Sequence, residues 1–291
     1  MHGSGRSAKQ GLRIGLTLAL VLSVTACSGV REGGWFAGRN TQLNLEQADA
    51  QSIFEAAEFE LENGRADDAA ALFVEVERLH PYSEWARRGL IMAAFAYHED
   101  GAYEDARIAA QRFLDFYPGD EDAAYAQYLM ALSYYDQIDQ VGRDQGITFQ
   151  ALQALRLVIE RYPDSEYAQD AILRFDLAFD HLAGKEMEIG RYYLRREHYA
   201  AAINRFRVVV EEFQTTSHTP EALMRLVEAY LALGLTDEAQ TAGAILGYNF
   251  QSSPFYDDAF RRLTGQNLSP EAAGEGWLRE VWQQTVRGEW L

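Results

Sequence analysis

Seven side chains in this sequence are of types that often carry catalytic or metal chemistry: Cys27 and the six histidines His2, His80, His98, His181, His198 and His218. A helical zinc site needs imidazoles four residues apart on one face, as in His-Glu-x-x-His, and no two of these histidines have that spacing. The sequence contains no Gly-x-Ser-x-Gly elbow and no Gly-x-x-x-x-Gly-Lys phosphate loop. Carboxylates cluster at Asp67-Asp68 and Asp120-Glu121-Asp122. A catalytic pair of acids requires burial to drive its two pKa values apart. These acids fall in turns or first helical turns, where they interact favourably with the helix dipole. The residues therefore point to a non-enzymatic protein with no cofactor and no metal, and the histidines to surface or packing roles.

Cys27 is the only cysteine, which excludes a disulfide framework and a cysteine zinc site. Arg6, Lys9 and Arg13 precede an apolar run from Ile14 to Ala26, too short for a membrane-spanning helix and suited to a signal-peptide core. The run ends in Val24-Thr25-Ala26-Cys27, small residues before a lone cysteine that resemble a bacterial lipobox. That resemblance implies cleavage of residues 1–26 as a signal peptide and lipidation of Cys27. Ser28 follows where an aspartate would retain a lipoprotein at the inner membrane, which implies the outer membrane. Removing three positive charges and no negative one takes the formal charge from -18 to -21. An acidic chain without a basic stripe repels phosphate backbones, so nucleic acid is not an expected partner. Residues 27–45, with four glycines and no periodicity, read as a lipidated flexible tether, so the membrane is reached through the lipid.

The full sequence of 291 residues is 48% hydrophobic, enough for a large core. It is organised by a recurring pair in which an alanine precedes a proline by twelve residues: Ala69 and Pro81, Ala106 and Pro118, Ala151 and Pro163. Gly64, Gly101 and Gly146 stand five residues before each alanine. From Leu45 to Asn63, Ile53, Phe54, Ala57 and Leu61 recur at helical spacing. Gly64 then ends a helix by adopting the left-handed conformation. A second helix runs from about Ala66 to Leu79, Pro81 stops it, and Ser83 is placed to cap the next. Ala106 follows Ala69 by 37 residues, a period typical of helical solenoids.

Two weaker units follow. Ala202 has Gly190 twelve residues before it, and Ala239 has Gly234 five before it. Thr219-Pro220-Glu221 and Thr236-Asp237-Glu238 read as capped helix starts. The third unit carries an eight-residue insertion, and the step to the fourth is fourteen residues longer than the period. That extra length falls in a helical stretch from Ser165 to about Arg196 interrupted by Gly184. Phe255, Ala259, Phe260 and Leu263 suggest a capping helix. In the tail, Trp277, Leu278, Val281, Trp282 and Val286 share roughly one face. A fold-back onto the solenoid is the preferred reading for this tail, because an isolated short helix with exposed tryptophans is a solubility liability. The segments are 46–164 for repeats one to three, 165–263 for repeats four and five with the cap, and 264–291 for linker and tail.

A small residue twelve before the repeat alanine and an aromatic nine before it, Ala94 and Tyr97 in the second unit, resemble the tetratricopeptide repeat; Ala131 and Tyr134 match in the third once its eight-residue insertion is allowed for, while the first supplies Ala57 but departs with Glu60. This implies an all-α, right-handed solenoid of about five helix pairs. In that register Phe54, Phe95, Tyr125, Tyr128 and Tyr135 line the concave face, with Arg88 and His98 among them. An aromatic groove suits an extended peptide with apolar or aromatic residues, although each ring can equally pack between helices as core.

Two stretches are more specific: Ser133 to Gln145, and Lys185 to Arg196 continued through Tyr199 to Phe206. With the lipobox and Tyr162-Pro163-Asp164-Ser165-Glu166-Tyr167, they resemble the BamD family, lipoprotein subunits of the machinery that assembles outer membrane β-barrels. The resemblance implies a periplasmic scaffold beside other Bam lipoproteins. It implies binding of a BamA POTRA domain through the C-terminal repeats, with Asn204 and Arg205 at the contact, and of unfolded outer membrane proteins through the N-terminal groove. Arg143 and Asp144 in the insertion either recognise a partner or brace the turn as an ion pair. A rival reading is another envelope repeat lipoprotein that coordinates the cell wall.

Overall fold

The computed structural model describes residues 44–138 and 145–290. These fold into twelve α-helices, and no strand occurs among the described residues. The first ten form five consecutive pairs. They are α1 Ala50–Glu62 with α2 Ala66–Leu79, α3 Glu84–Glu99 with α4 Tyr103–Phe116, and α5 Ala123–Tyr135 with α6 Gly146–Arg161. Then come α7 Ala168–Arg195 with α8 Tyr199–Glu212, and α9 Thr219–Leu233 with α10 Thr236–Asn249. Each of these helices packs on the next, and α1, α3, α5 and α7 also touch in succession. This is the stacking of a solenoid, in which a pair that cannot bury its own apolar face covers it with its neighbours.

The sequence causes the turns locally. Gly64 and Gly101 adopt φ of 74° and 78° just past their helices. There the Arg65 N–H reaches the Glu60 carbonyl at 3.0 Å, closing the end of α1. The Ser83 hydroxyl accepts from the Ala86 N–H at 3.1 Å and caps α3. All five repeat alanines, Ala69, Ala106, Ala151, Ala202 and Ala239, are fully buried, so their small size sets the approach between helices.

Four local expectations change. Leu45 lies in a turn, and α1 starts only at Ala50, because the Asp49 carboxylate caps it by accepting from the Ser52 N–H at 2.9 Å. Gly146 opens α6 rather than closing a turn before it. Gly184 does not interrupt α7, which runs unbroken for 28 residues. The glycine is there for space: a Cβ would lie 3.1 Å from His218 Nε2. Thr219 and Thr236 are the first residues of their helices and not side-chain caps. The Thr219 hydroxyl instead donates to the Phe213 carbonyl at 3.0 Å.

After the fifth pair come α11, Pro254–Thr264, and α12, Trp277–Arg287. The tail folds back as expected, and α12 packs on α10. Leu278, Val281 and Trp290 are buried in the C-terminal core, while Val286 faces solvent, so the buried face is narrower than the sequence suggests. The Trp277 indole donates to the Tyr230 hydroxyl at 3.1 Å, and the Trp290 indole to the Val210 carbonyl at 3.3 Å. The connecting segment is pinned at Thr241, whose hydroxyl donates to the Ala273 carbonyl and accepts from its N–H.

Candidate partner-binding surface

The five rings expected to line one groove separate into two groups. Phe54 is fully buried, with Phe73 at 5.1 Å edge-on and Trp85 at 5.1 Å, and the Arg88 guanidinium caps the cluster 4.7 Å from the Phe54 centroid. Tyr128 is buried as well, stacked on Tyr167 at 5.1 Å. These two are therefore core residues and not groove lining. The repeat register puts them on the inner helices, but the neighbouring pair supplies the ring that covers each. Phe95, Tyr125 and Tyr135 remain partly exposed. Tyr125 lies 5.2 Å from Tyr167, and burial with that neighbour pushes its hydroxyl up to about 12. Tyr135 carries the Arg174 guanidinium 5.0 Å over its ring.

A polar relay crosses three of the inner helices at this level. The Tyr128 hydroxyl donates to Asp170 on α7, and Arg174, one turn on, pairs with the same carboxylate. Burial and the Asp170 hydrogen bond push the Tyr128 hydroxyl up to about 12. Burial alone would raise Asp170, but Tyr128 and Arg174 outweigh it and hold its carboxyl below the ordinary range. Arg174 also lies 3.9 Å from Asp136 at the end of α5, and His98 of α3 reaches that carboxylate through Nε2 at 3.2 Å. His98 is thus a tie between repeats and not a groove residue. The sequence assigns no site role to Asp136, Tyr167, Asp170 or Arg174, although Asp136 and Tyr167 lie in the stretches that carry the family resemblance. Nothing in the repeat pattern marks them, because they meet only when successive pairs stack. On the same helix Leu173 and Leu177 are more than half exposed.

Asn204 and Arg205 sit on α8. Asn204 is exposed. The Arg205 guanidinium donates to Glu186 on α7 at 3.0 Å, with 42% of its side chain exposed and 14% of its partner's. The glutamate anchors the guanidinium while leaving donors open to a partner. Cys27, Arg143 and Asp144 lie outside the described residues. Among the described residues, no cluster of His, Cys, Asp or Glu could hold a metal ion, and no helix is long and apolar enough to cross a membrane.

The YfiO family model, described as an outer membrane lipoprotein, matches residues 46–245, which covers every helix of the five pairs except the last turn of α10. The chain belongs to this family of outer membrane protein assembly factors. An outer membrane protein assembly factor BamD of Caulobacter vibrioides is 47% identical over 89% of this chain and 83% of its own length. The BamD of Rickettsia prowazekii is 43% identical over 69% of this chain and 80% of its own. That of Neisseria meningitidis serogroup A is 30% identical over 86% and 95%. The match to the family model stops inside α10, so α11 and α12 lie beyond it.

Proposed function

We propose that this BamD-family chain is a non-catalytic scaffold of outer membrane β-barrel assembly, held at the periplasmic face of the outer membrane by lipid on Cys27. Its C-terminal repeats bind a POTRA domain of BamA, beside other Bam lipoproteins. Its N-terminal repeats receive unfolded outer membrane proteins on the partly exposed edges of Phe95, Tyr125 and Tyr135. Phe54 and Tyr128 stay in the core and take no part.

The observation that carries the reading is Arg205: a guanidinium on α8, oriented by Glu186 and still 42% exposed. A charged group held in place loses less freedom when a partner docks than a freely moving one. The test is purification of the tagged protein from detergent-solubilised envelopes, alone and as Arg205→Glu and Arg205→Ala. Wild type should bring down BamA, and both variants should bring down less. No BamA with wild type would overturn the partner. Undiminished BamA with both variants would remove Arg205 from the contact.

A further inference from the structure

The tether between Cys27 and α1 carries a pair of rings that a spacer does not need. Residues 28–43 lie outside the described residues, and their sequence includes Glu32-Gly33-Gly34-Trp35-Phe36-Ala37-Gly38. A spacer is served by small and polar residues. Adjacent tryptophan and phenylalanine left in water are a solubility liability. Glycines on both sides of them let the backbone come close to a surface.

The chain enters the fold beside a face that suits these rings. On α3, Trp85, Arg88, Met92 and Phe95 follow one another at spacings of three, four and three residues, so they share one side of the helix. Trp85, Met92 and Phe95 are partly exposed and Arg88 is exposed. The Arg88 guanidinium lies 4.7 Å from the Phe54 centroid and 4.8 Å from that of Trp85, and it forms no ion pair among the described residues. The point of entry is fixed next to this stripe. His80, in the turn before α3, donates through Nε2 to the Ala48 carbonyl at 2.9 Å, and Phe54 near the start of α1 touches Trp85. Asn44 follows Phe36 by eight residues, an extended reach of about 26–29 Å. Trp85 to Phe95 spans only about 15 Å along the helix axis.

We propose that Trp35 and Phe36 of this chain's own tether occupy the α3 stripe, with the Glu32 carboxylate at Arg88, and that an unfolded barrel client has to displace them. The inference rests on the client reading above, which puts Phe95 in the client groove. Charge agrees with this occupant: Glu32 is the only acid in residues 28–43, and Arg88 is the only charge in the stripe. Covalent attachment favours it as well, because a short linker holds its rings at an effective concentration on the order of millimolar. A client that also engages Tyr125 and Tyr135 has the larger contact and wins the exchange.

The experiment uses the full-length lipoprotein in detergent micelles. With p-benzoylphenylalanine in place of Phe36, ultraviolet light should crosslink position 36 to the segment Trp85–Phe95, read by mass spectrometry of the digest. The adduct should fall when a peptide copied from a transmembrane strand of one of the cell's own outer membrane β-barrels is added. Crosslinks only to detergent, or only to other parts of the chain, would overturn the proposal. In a second arm the same peptide, fluorescently labelled, is titrated onto wild type and onto the double variant Trp35→Ala, Phe36→Ala. A tether docked about 70–90% of the time leaves roughly a tenth to a third of the grooves open, so the double variant should bind about threefold to tenfold more tightly. Equal affinity of the two chains would overturn the displacement even where the crosslink forms. No peptide binding by either chain would instead overturn the client reading, and this inference with it.

Discussion

Gly190→Ala adds one methyl group where α7 meets α8, and two effects of opposite sign decide its outcome. Replacing a mid-helix glycine by alanine favours the helix by about 1 kcal/mol. Against this, the new Cβ would lie 2.8 Å from both Cδ1 and Cζ of Phe206 and closer still to Cε1. Phe206 is fully buried and cannot turn its ring toward solvent. Overpacking of this kind costs about 1–3 kcal/mol, so the net change is a destabilisation of about 1 kcal/mol, up to about 2. For a folded unit of this size that lowers Tm by roughly 2–8 °C. Urea unfolding followed by circular dichroism measures it directly. Gly184→Ala on the same helix is the control. Its Cβ meets only the movable imidazole of His218 at 3.1 Å, so it should be neutral to about 1 kcal/mol stabilising. Phe206→Leu should restore room, and the pair should couple by about 0.5–3 kcal/mol. The close-approach account fails if Gly190→Ala is as stable as wild type, or if the leucine background does not reduce its cost.

Two further outcomes test other parts of the structure. The carboxyl of Asp170 is depressed by Tyr128 and Arg174, so the folded chain binds fewer protons than the unfolded one just below the unfolded pKa. Its contribution is present above about pH 3.9 and is lost as pH falls through the folded value. Asp170→Asn should therefore flatten the acid limb of stability against pH, and an unchanged slope would refute the relay. Trp290→Ala removes a ring only 5% exposed that donates to the Val210 carbonyl, at a cost of about 3 kcal/mol. Amide exchange should quicken in α12 and leave α1 to α6 unchanged, and equal protection of α12 would refute its docking through Trp290.

What was legible in the sequence is what depends on neighbours along the chain. The helix pairs follow from period and punctuation: Gly64, Gly101 and Gly234 at left-handed turns, Ser83 at a cap, and a buried alanine at each repeat. The BamD family was legible because its insertion and its α7–α8 stretch are contiguous words of sequence. Local rules mislead where a residue has a tertiary duty. Gly184 reads locally as a break, but a glycine within a helix also makes room for the next repeat's His218. Thr219 and Thr236 read locally as caps, but Thr219 bonds across the turn to Phe213 instead.

Only the stacking of the pairs decided which inner-face rings are core. Phe54 and Tyr128 share a register with Phe95 and Tyr135, yet Trp85 and Tyr167 from neighbouring pairs cover the first two. Burial belongs to the packed assembly of helices, and helical periodicity fixes a direction from the axis without saying what lies there. The same distinction applies to charge. A sequence lists Arg174, Arg205, Arg195 and Glu197 alike, while the fold gives the first two carboxylate partners and leaves the last two without any among the described residues. Side chains 19 residues apart, as Arg205 and Glu186 are, meet only once α8 has folded back along α7.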